Sequence, residues 1–330
     1  MTWKVYKVVF QMESPLHSGW LKVGNIQRTR LYVTGRMMWG ALTANITRII
    51  GGNYSRVGEA VKKYLITSYF FPAFDENGKK VVLPSYDGNL LRYTVRILGG
   101  LSNNVETYDR NLLKYTDKYV PASIIERALI TCYNATAIDP NGFSVEDGSL
   151  HEIELLNHKT LYPLNLNNDN LGVGNIESHE DMIPVNSNIY LVGYIFESSE
   201  LPSEIKDNWC KALKMVQLGG ERSYGFGRLF LKGKSVLTLE NLDFFGYNLL
   251  SADKEIKIEV SQKKQILANA FNVNDLLGII EPFFGRTVNE KGKFGEKYSS
   301  SVQVSWSPGS ILNENKKFNI TELGLWKGIS

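Results

Sequence analysis

Apolar and polar residues alternate from the start of the chain. Tyr6, Val8, Phe10 and Met12 are set against Lys7, Val9 and Gln11, the two-residue period of a strand with one buried face. The strand stops at Glu13-Ser14-Pro15, and the loop Leu16-His17-Ser18-Gly19-Trp20 follows. Arg28 to Val33 then leads through Thr34-Gly35 into a predicted helix from Arg36 to Ile50, apolar at Met37, Met38, Ala41, Leu42 and Ile49 and closed by Gly51-Gly52. Helical spacing at Val57, Ala60, Val61, Tyr64 and Leu65 predicts a second helix over Ser55 to Leu65, before Ile66 to Phe71 turns β-like and meets Pro72.

Residues Asp75 to Thr116 are turn-rich and weakly periodic, with Glu76-Asn77-Gly78-Lys79 as a hairpin turn, and read as an insertion. Ile124 to Ile138 and Ser149 to Leu156, around the turn Asp139-Pro140-Asn141-Gly142, read as the arms of a β-hairpin, and Asn165 to Asn175 as a loop. The continuous apolar run Ile189 to Phe196 suits a central strand. Pro202-Ser203-Glu204 opens a predicted helix with Ile205, Trp209, Leu213, Val216 and Leu218 on its face, ending on Gly219-Gly220, and Arg228 to Leu231 is a further strand.

The resulting class is α+β: a ferredoxin-like (RRM-like) β-α-β-β-α-β domain over residues 1–232, with large insertions at about 75–120 and 139–182. Residues 233–330 read as a smaller C-terminal lobe, a degenerate second unit of the same type. Its elements are a strand at Ile256 to Val260, a helix near Val273 to Glu281, a basic Gly-rich segment from Gly285 to Lys297 and a strand at Ser301 to Trp306.

The densest chemistry lies in Gly219-Gly220-Glu221-Arg222-Ser223-Tyr224-Gly225-Phe226-Gly227-Arg228. Glycines permit positive φ and turn backbone amides toward an anion, arginines add forked cationic donors, and aromatic rings stack on bases. RNA fits that chemistry. Gly220 and Gly225 have Walker spacing, but Phe226-Gly227 replaces the lysine and hydroxyl. A dinucleotide fingerprint must open a helix, whereas this loop opens a strand. The plain alternative is a helix C-cap followed by a bulged turn. Thr34, Gly35 and Arg36 form a second candidate, since free amides at a helix N-terminus favour phosphate. An ordinary cap and a solvated arginine are the alternatives there.

A net charge of +3 with 22% charged residues excludes a uniformly basic coat but leaves room for a local groove. Cys132 and Cys210 lie in apolar contexts and read as reduced, core-packed thiols. No apolar run approaches the ~20 residues needed to cross a bilayer, and the N-terminus enters a strand at once. A soluble, cytoplasmic protein is therefore expected, with the sequons at Asn45, Asn53, Asn134 and Asn319 as chance matches. His151, His158 and His179 have no zinc-site spacing, so neither metal nor cofactor is expected. Asp139, Asp147, Glu152 and Glu154 read as solvated turn charges.

Four segments resemble the RAMP superfamily of CRISPR effector proteins. ESPLHSG (Glu13 to Gly19) looks like the family's loop after the first strand. TRLYVTGRMMWGAL (Thr29 to Leu42) looks like its IPGSSLRGAL helix segment, and GGERSYGFGRL (Gly219 to Leu229) is similar to its glycine loop. RALITCYNATA and DGSLHEIE, within Arg127 to Glu154, resemble its hairpin. The resemblance runs in the family's order over residues 3–232.

It implies a non-catalytic subunit of a type III ribonucleoprotein that grips the crRNA guide at its 5′ tag. The implied partners are other RAMP subunits and the large subunit, with target RNA contacted indirectly. The site residues so implied are Gly219, Gly220, Arg222, Ser223, Tyr224, Gly225, Phe226, Gly227 and Arg228, with Arg30, Thr34, Gly35, Arg36 and His17. Family members that cut target RNA use an aspartate in the first loop, but residues 13–36 contain only Glu13 as an acid, and Asn25 cannot replace a carboxylate. Two alternatives stay open: a metal-independent endoribonuclease with His17 as base, and a multi-copy backbone subunit along the guide.

Overall fold

The computed structural model describes residues 2–98, 115–166, 182–237, 243–288, 294–298 and 302–329. Strand β1 (Trp3–Met12) is followed by the hairpin β2 (Gly19–Val23) and β3 (Ile26–Thr29), then helices α1 (Gly35–Ile50) and α2 (Tyr54–Tyr64). Short strands β4 (Leu65–Thr67) and β5 (Phe71–Ala73) lead into a meander of β6 (Lys80–Asp87), β7 (Leu90–Leu98) and β8 (Tyr115–Pro121). Next come α3 (Ala122–Leu129), β9 (Ile130–Ala135), β10 (His151–Leu156) and the small pair β11 (Leu164–Asn165) and β12 (Met182–Ile183). β13 (Tyr190–Ser198), the single turns α4 (Ser203–Lys206) and α5 (Trp209–Ala212), β14 (Met215–Gln217) and β15 (Arg228–Leu237) complete this part.

Beyond it, the described chain is almost all strand: β16 (Asp243–Phe244), β17 (Tyr247–Ala252), β18 (Ile256–Val260), β19 (Ala270–Phe271), β20 (Leu276–Leu277), β21 (Ile280–Phe283), β22 (Arg286–Val288), β23 (Phe294–Tyr298), β24 (Gln303–Trp306), β25 (Ile311–Leu312), β26 (Lys316–Ile320) and β27 (Trp326–Gly328). The fold is mixed α+β and mostly strand. Among the described residues no helix is long and apolar enough to cross a membrane.

The first sheet runs β14-β15-β1-β13-β5-β6-β7-β8, with β4 also on β13. Its central strands are buried on both faces. Tyr6, Val8, Phe10 and Met12 of β1, with Leu191 and Ile195 of β13, pack against Met38, Leu42 and Ile46 of α1 and Trp209 of α5. Val5 and Val9, with Val192, Tyr194 and Phe196, pack against a second sheet through Ile256, Ile258, Phe318 and Trp326. That sheet runs β16-β17-β18-β26-β27-β19-β24-β21. Two-sided burial accounts for the unbroken apolar run of β13.

Local chemistry sets the helices where the spacing predicts them. Thr34 caps α1 by accepting from the Met37 amide, and Gly51 closes it at φ 67°. Asn53 caps α2 by accepting from the Ser55 and Arg56 amides.

Four predicted elements differ. The weakly periodic Asp75 to Thr116 contains β6 and β7 of the first sheet, although residues 99–114 lie outside the described set, as does most of the Asn165 to Asn175 loop. Pro84 and the fully buried Arg96 hide the strand pattern, and the Tyr86 amide donates to the carbonyl of Gly309, in the distant loop between β24 and β25. The first hairpin arm opens as α3, with Ile125, Ala128 and Leu129 buried at helical spacing, before β9 begins. The helix expected from Pro202 to Leu218 is two single turns and then β14, because Val216 and Leu218 are buried at strand alternation. The helix near Val273 to Glu281 is replaced by β20 and β21, with left-handed backbone at Asn272, Asp275 and Gly278 breaking any helical path. Nor are both cysteines core-packed: both are free, Cys132 is exposed and Cys210 is half-buried.

Arg96 joins the two sheets. Its Nε and Nη2 donate to Asp117 at 2.7 and 2.9 Å, and Nη1 donates to the Phe245 carbonyl at 2.8 Å. Its guanidinium lies 4.9 Å from the Tyr247 ring centre. Replacing Arg96 with Met leaves the buried Asp117 carboxylate dependent on Lys264 at 3.3 Å. Arg96→Met is predicted to lower stability by about 3–5 kcal/mol in urea denaturation; a loss below ~1 kcal/mol would remove Arg96 as the inter-sheet tie.

Candidate nucleic-acid interface

The glycine loop is the turn of a β-hairpin, not the link from a helix to a strand. β14 and β15 pair through Met215–Phe230, Val216–Leu229 and Gln217–Arg228. Between them, left-handed backbone at Gly219 (φ 89°), Glu221 (52°), Gly225 (88°) and Gly227 (78°) folds residues 222–224 into one tight turn. The Gln217 side-chain amide donates to the carbonyls of Arg222 and Phe226, both at 3.0 Å, holding the turn shut from inside.

The turn docks on the loop that follows β1. The Gly220 amide donates to the His17 carbonyl at 3.0 Å, the Gly227 amide to the Pro15 carbonyl at 2.8 Å, and the Arg228 amide to Ser14 Oγ at 2.9 Å. In return, the Glu13 amide donates to the Arg228 carbonyl at 2.9 Å. Side chains would prevent this approach. A Cβ on Gly219 would lie 2.5 Å from the His17 carbonyl oxygen, and one on Gly227 would overlap the Leu218 carbonyl oxygen. His17 is only 6% exposed, its Nδ1–H donates to the Glu154 carbonyl at 2.8 Å, and its ring is covered by Gly19 and Gly220. It serves as the packing surface beneath the turn.

What the turn presents outward is cationic and aromatic. Arg222, Ser223, Tyr224 and Arg228 are exposed, and neither guanidinium has an acidic partner among the described residues. Tyr224 and Phe226 cluster with Tyr133 of β9, with ring centres 5.4 Å (Tyr133–Tyr224), 5.6 Å (Tyr133–Phe226) and 6.2 Å (Tyr224–Phe226) apart. The turn that carries two of the three clustered rings thus also carries two arginines without an acidic partner among the described residues, a combination that suits stacked bases and phosphates. Sequence reasoning missed Tyr133, although it stands in the RALITCYNATA segment and alternates with exposed Cys132 and Asn134 along β9.

Arg30, Thr34, Gly35 and Arg36 belong to a different environment. Arg30 Nη2 donates to Glu281 Oε2 of β21 at 2.8 Å, and its guanidinium is flanked by Trp20 and Tyr32. Glu281 in turn accepts from Asn269, whose side-chain oxygen accepts from Tyr69. Arg30 is therefore committed to a buried network between the sheets. The α1 N-terminus is closed: a Cβ on Gly35 would lie 2.7 Å from the Thr67 carbonyl oxygen and collide with that of Leu323. Arg36 turns toward the second sheet, where burial lowers its pKa and its guanidinium lies 4.8 Å from the Phe283 ring centre. The predicted set thus divides in two, one part on the glycine turn and one against the second sheet.

Two further residues join these parts. Buried Ser18 ties this corner together: its amide donates to Thr29 Oγ1 at 2.9 Å and its hydroxyl to the Tyr32 carbonyl at 2.7 Å. The Glu154 carboxylate is not solvated; it pairs with Arg28 Nε at 2.8 Å and accepts from the Thr29 amide at 3.1 Å. Among the described residues no three His, Cys, Asp or Glu side chains gather in a metal-binding group, and His179 lies outside them.

The family model described as the RAMP superfamily matches residues 9–230. No curated protein matches the chain. Among solved structures, a chain from the cryo-EM structure of the type III-B Cmr-beta bound to cognate target RNA and AMPPnP is 13% identical, with a TM-score of 0.47, covering 93% of this chain and 85% of that one. Oligomeric Cmr4 from Pyrococcus furiosus is 14% identical, with a TM-score of 0.30, covering 71% of this chain and 99% of that one.

Gly227→Ala is predicted to cost about 2 kcal/mol or more in urea denaturation, since a methyl meets backbone at positive φ. Gly233→Ala, on the strand β15 that follows the turn and with nothing within 4 Å of the added methyl, should stay within ~0.5 kcal/mol. Equal effects at the two positions would show that the turn does not depend on the close approach.

Proposed function

This chain belongs to the RAMP superfamily, and we propose that it is a non-catalytic, guide-RNA-binding subunit of a type III CRISPR ribonucleoprotein, gripping the crRNA at its 5′ tag. The observation that carries the reading is the pair of exposed arginines, Arg222 and Arg228, without an acidic partner among the described residues, on the turn whose Tyr224 and Phe226 rings cluster with Tyr133. Guide sequences vary, so phosphate contact and stacking, which ignore base identity, are the interactions such a subunit needs. The strand order β15-β1-β13-β4/β5, with α1 and α5 on one face, supports reading residues 1–232 as a ferredoxin-like unit with insertions and the remainder as a second lobe.

The burial of His17 under Gly19 and Gly220 favours a structural role for it and supports leaving cleavage to another subunit. The exposed Ile138, Phe143 and Val145, carried beyond β9 and β10, support contact with neighbouring RAMP and large subunits, through which target RNA is met indirectly. A cytoplasmic ribonucleoprotein follows from this assignment.

The double variant Arg222→Ala/Arg228→Ala is predicted to weaken guide-RNA binding in a filter-binding salt titration. Losing two phosphate contacts on a single strand should reduce the slope of log K against log salt by about 1.4. Unchanged affinity and slope would sink the assignment of the glycine turn to the guide.

A further inference from the structure

We propose that the cleft between α1, α2 and the second sheet is a separate ligand site, one that takes a phosphomonoester carried on an apolar or aromatic group, with a mononucleotide as the simplest such ligand. It holds about 450 Å³ and is lined by none of the glycine-turn residues, so it stands independently of the guide-binding reading. That volume is within the ~300–1,000 Å³ of ordinary small-molecule sites.

Charge defines the ligand's head. Arg36, Lys62 and Lys327 line the cleft, and the one acid in the lining, Glu322, pairs with Lys62 at 3.2 Å. The remaining excess of positive charge matches a phosphomonoester, which carries between one and two negative charges at neutral pH. Arg36 is the central donor. Its Nε is buried without a hydrogen-bond partner, and its Nη1 reaches the Arg286 carbonyl only at 3.5 Å. A buried donor in that state carries a desolvation cost that an arriving oxygen would remove. The guanidinium is already held in place, lying over Phe283 with its Cδ against Gly285, so little freedom remains to be lost on binding.

The rest of the lining defines the ligand's body. Phe271, Phe283, Leu323 and Leu325 supply an apolar wall, while Thr321 and Gln303 add neutral polar groups. A bare inorganic anion would leave that wall unused. The helix N-terminus contributes nothing, because Thr34 and the chain around Gly35 already close it.

A free mononucleotide and the 5′-phosphorylated end of a strand present the same chemistry, and the experiment separates them. Isothermal titration of the full chain at fixed ionic strength would compare AMP, adenosine and inorganic phosphate, then short RNA strands with a 5′-phosphate or a 5′-hydroxyl. AMP should bind while adenosine gives no measurable heat, and Arg36→Met and Lys327→Glu should each weaken AMP by about tenfold or more. Lys254→Glu, the same charge change on an exposed turn, should leave AMP binding unaltered. Melting of each variant without ligand checks its fold; if Arg36→Met is unfolded, Lys327→Glu decides. Binding of the 5′-phosphorylated strand without AMP binding would assign the site to strand ends. Equal affinity for AMP and adenosine, equal affinity for AMP and inorganic phosphate, or AMP binding unchanged in the folded variants would overturn the proposal.

Discussion

Two backbones meet between the loop after β1 and the turn between β14 and β15, with no side chains to keep them apart. The contact uses amides of Gly220 and Gly227 and carbonyls of His17 and Pro15, and it exists only because Gly219, Gly220 and Gly227 lack Cβ atoms. Everything the turn displays depends on it. With the glycines held against the first loop, Arg222 and Arg228 are exposed, and Tyr224 and Phe226 are set against Tyr133 of β9. The turn is thereby a rigid platform whose exposed groups are fixed by hydrogen bonds on its inner side.

The arginines divide by environment more than by number. Arg96 and Arg30 are held between the sheets by Asp117 and Glu281, and Arg28 by Glu154. A charge buried with a partner contributes shape and specificity to the fold and little to the field outside it. The modest net charge of +3 therefore understates the cationic character of the glycine turn, where neither guanidinium is neutralised by an acid among the described residues. Local pairing decides which cations reach a ligand.

Much of the fold was legible where the determinants are local. β1 shows a two-residue period, α1 and α2 have caps within three residues of their start, and β13 is apolar on both faces. The glycine turn was found by composition, and its docking loop by resemblance. What failed had distant causes. β6 and β7 are strands because they lie under the second sheet, with a buried arginine where a hydrophobic residue would be expected. The segment after α5 has spacings compatible with a helix, and only its pairing with Arg228 to Phe230 makes it β14. Arg30 looked available because Glu281, which occupies it, lies 251 positions further on. No local pattern encodes such a partner.

The hydrogen bond from the Arg228 amide to Ser14 spans 214 positions of sequence. Closing so large a loop is entropically slow, and its reward comes only when both ends are present. During synthesis from the N-terminus, the first loop must remain without its partner until β15 has been made and paired beside β1. The exposed rings and arginines of the turn are consequently assembled last in the first sheet. A chain that stalls or misfolds earlier has no glycine platform, so competence to hold a ligand there reports that the sheet has closed.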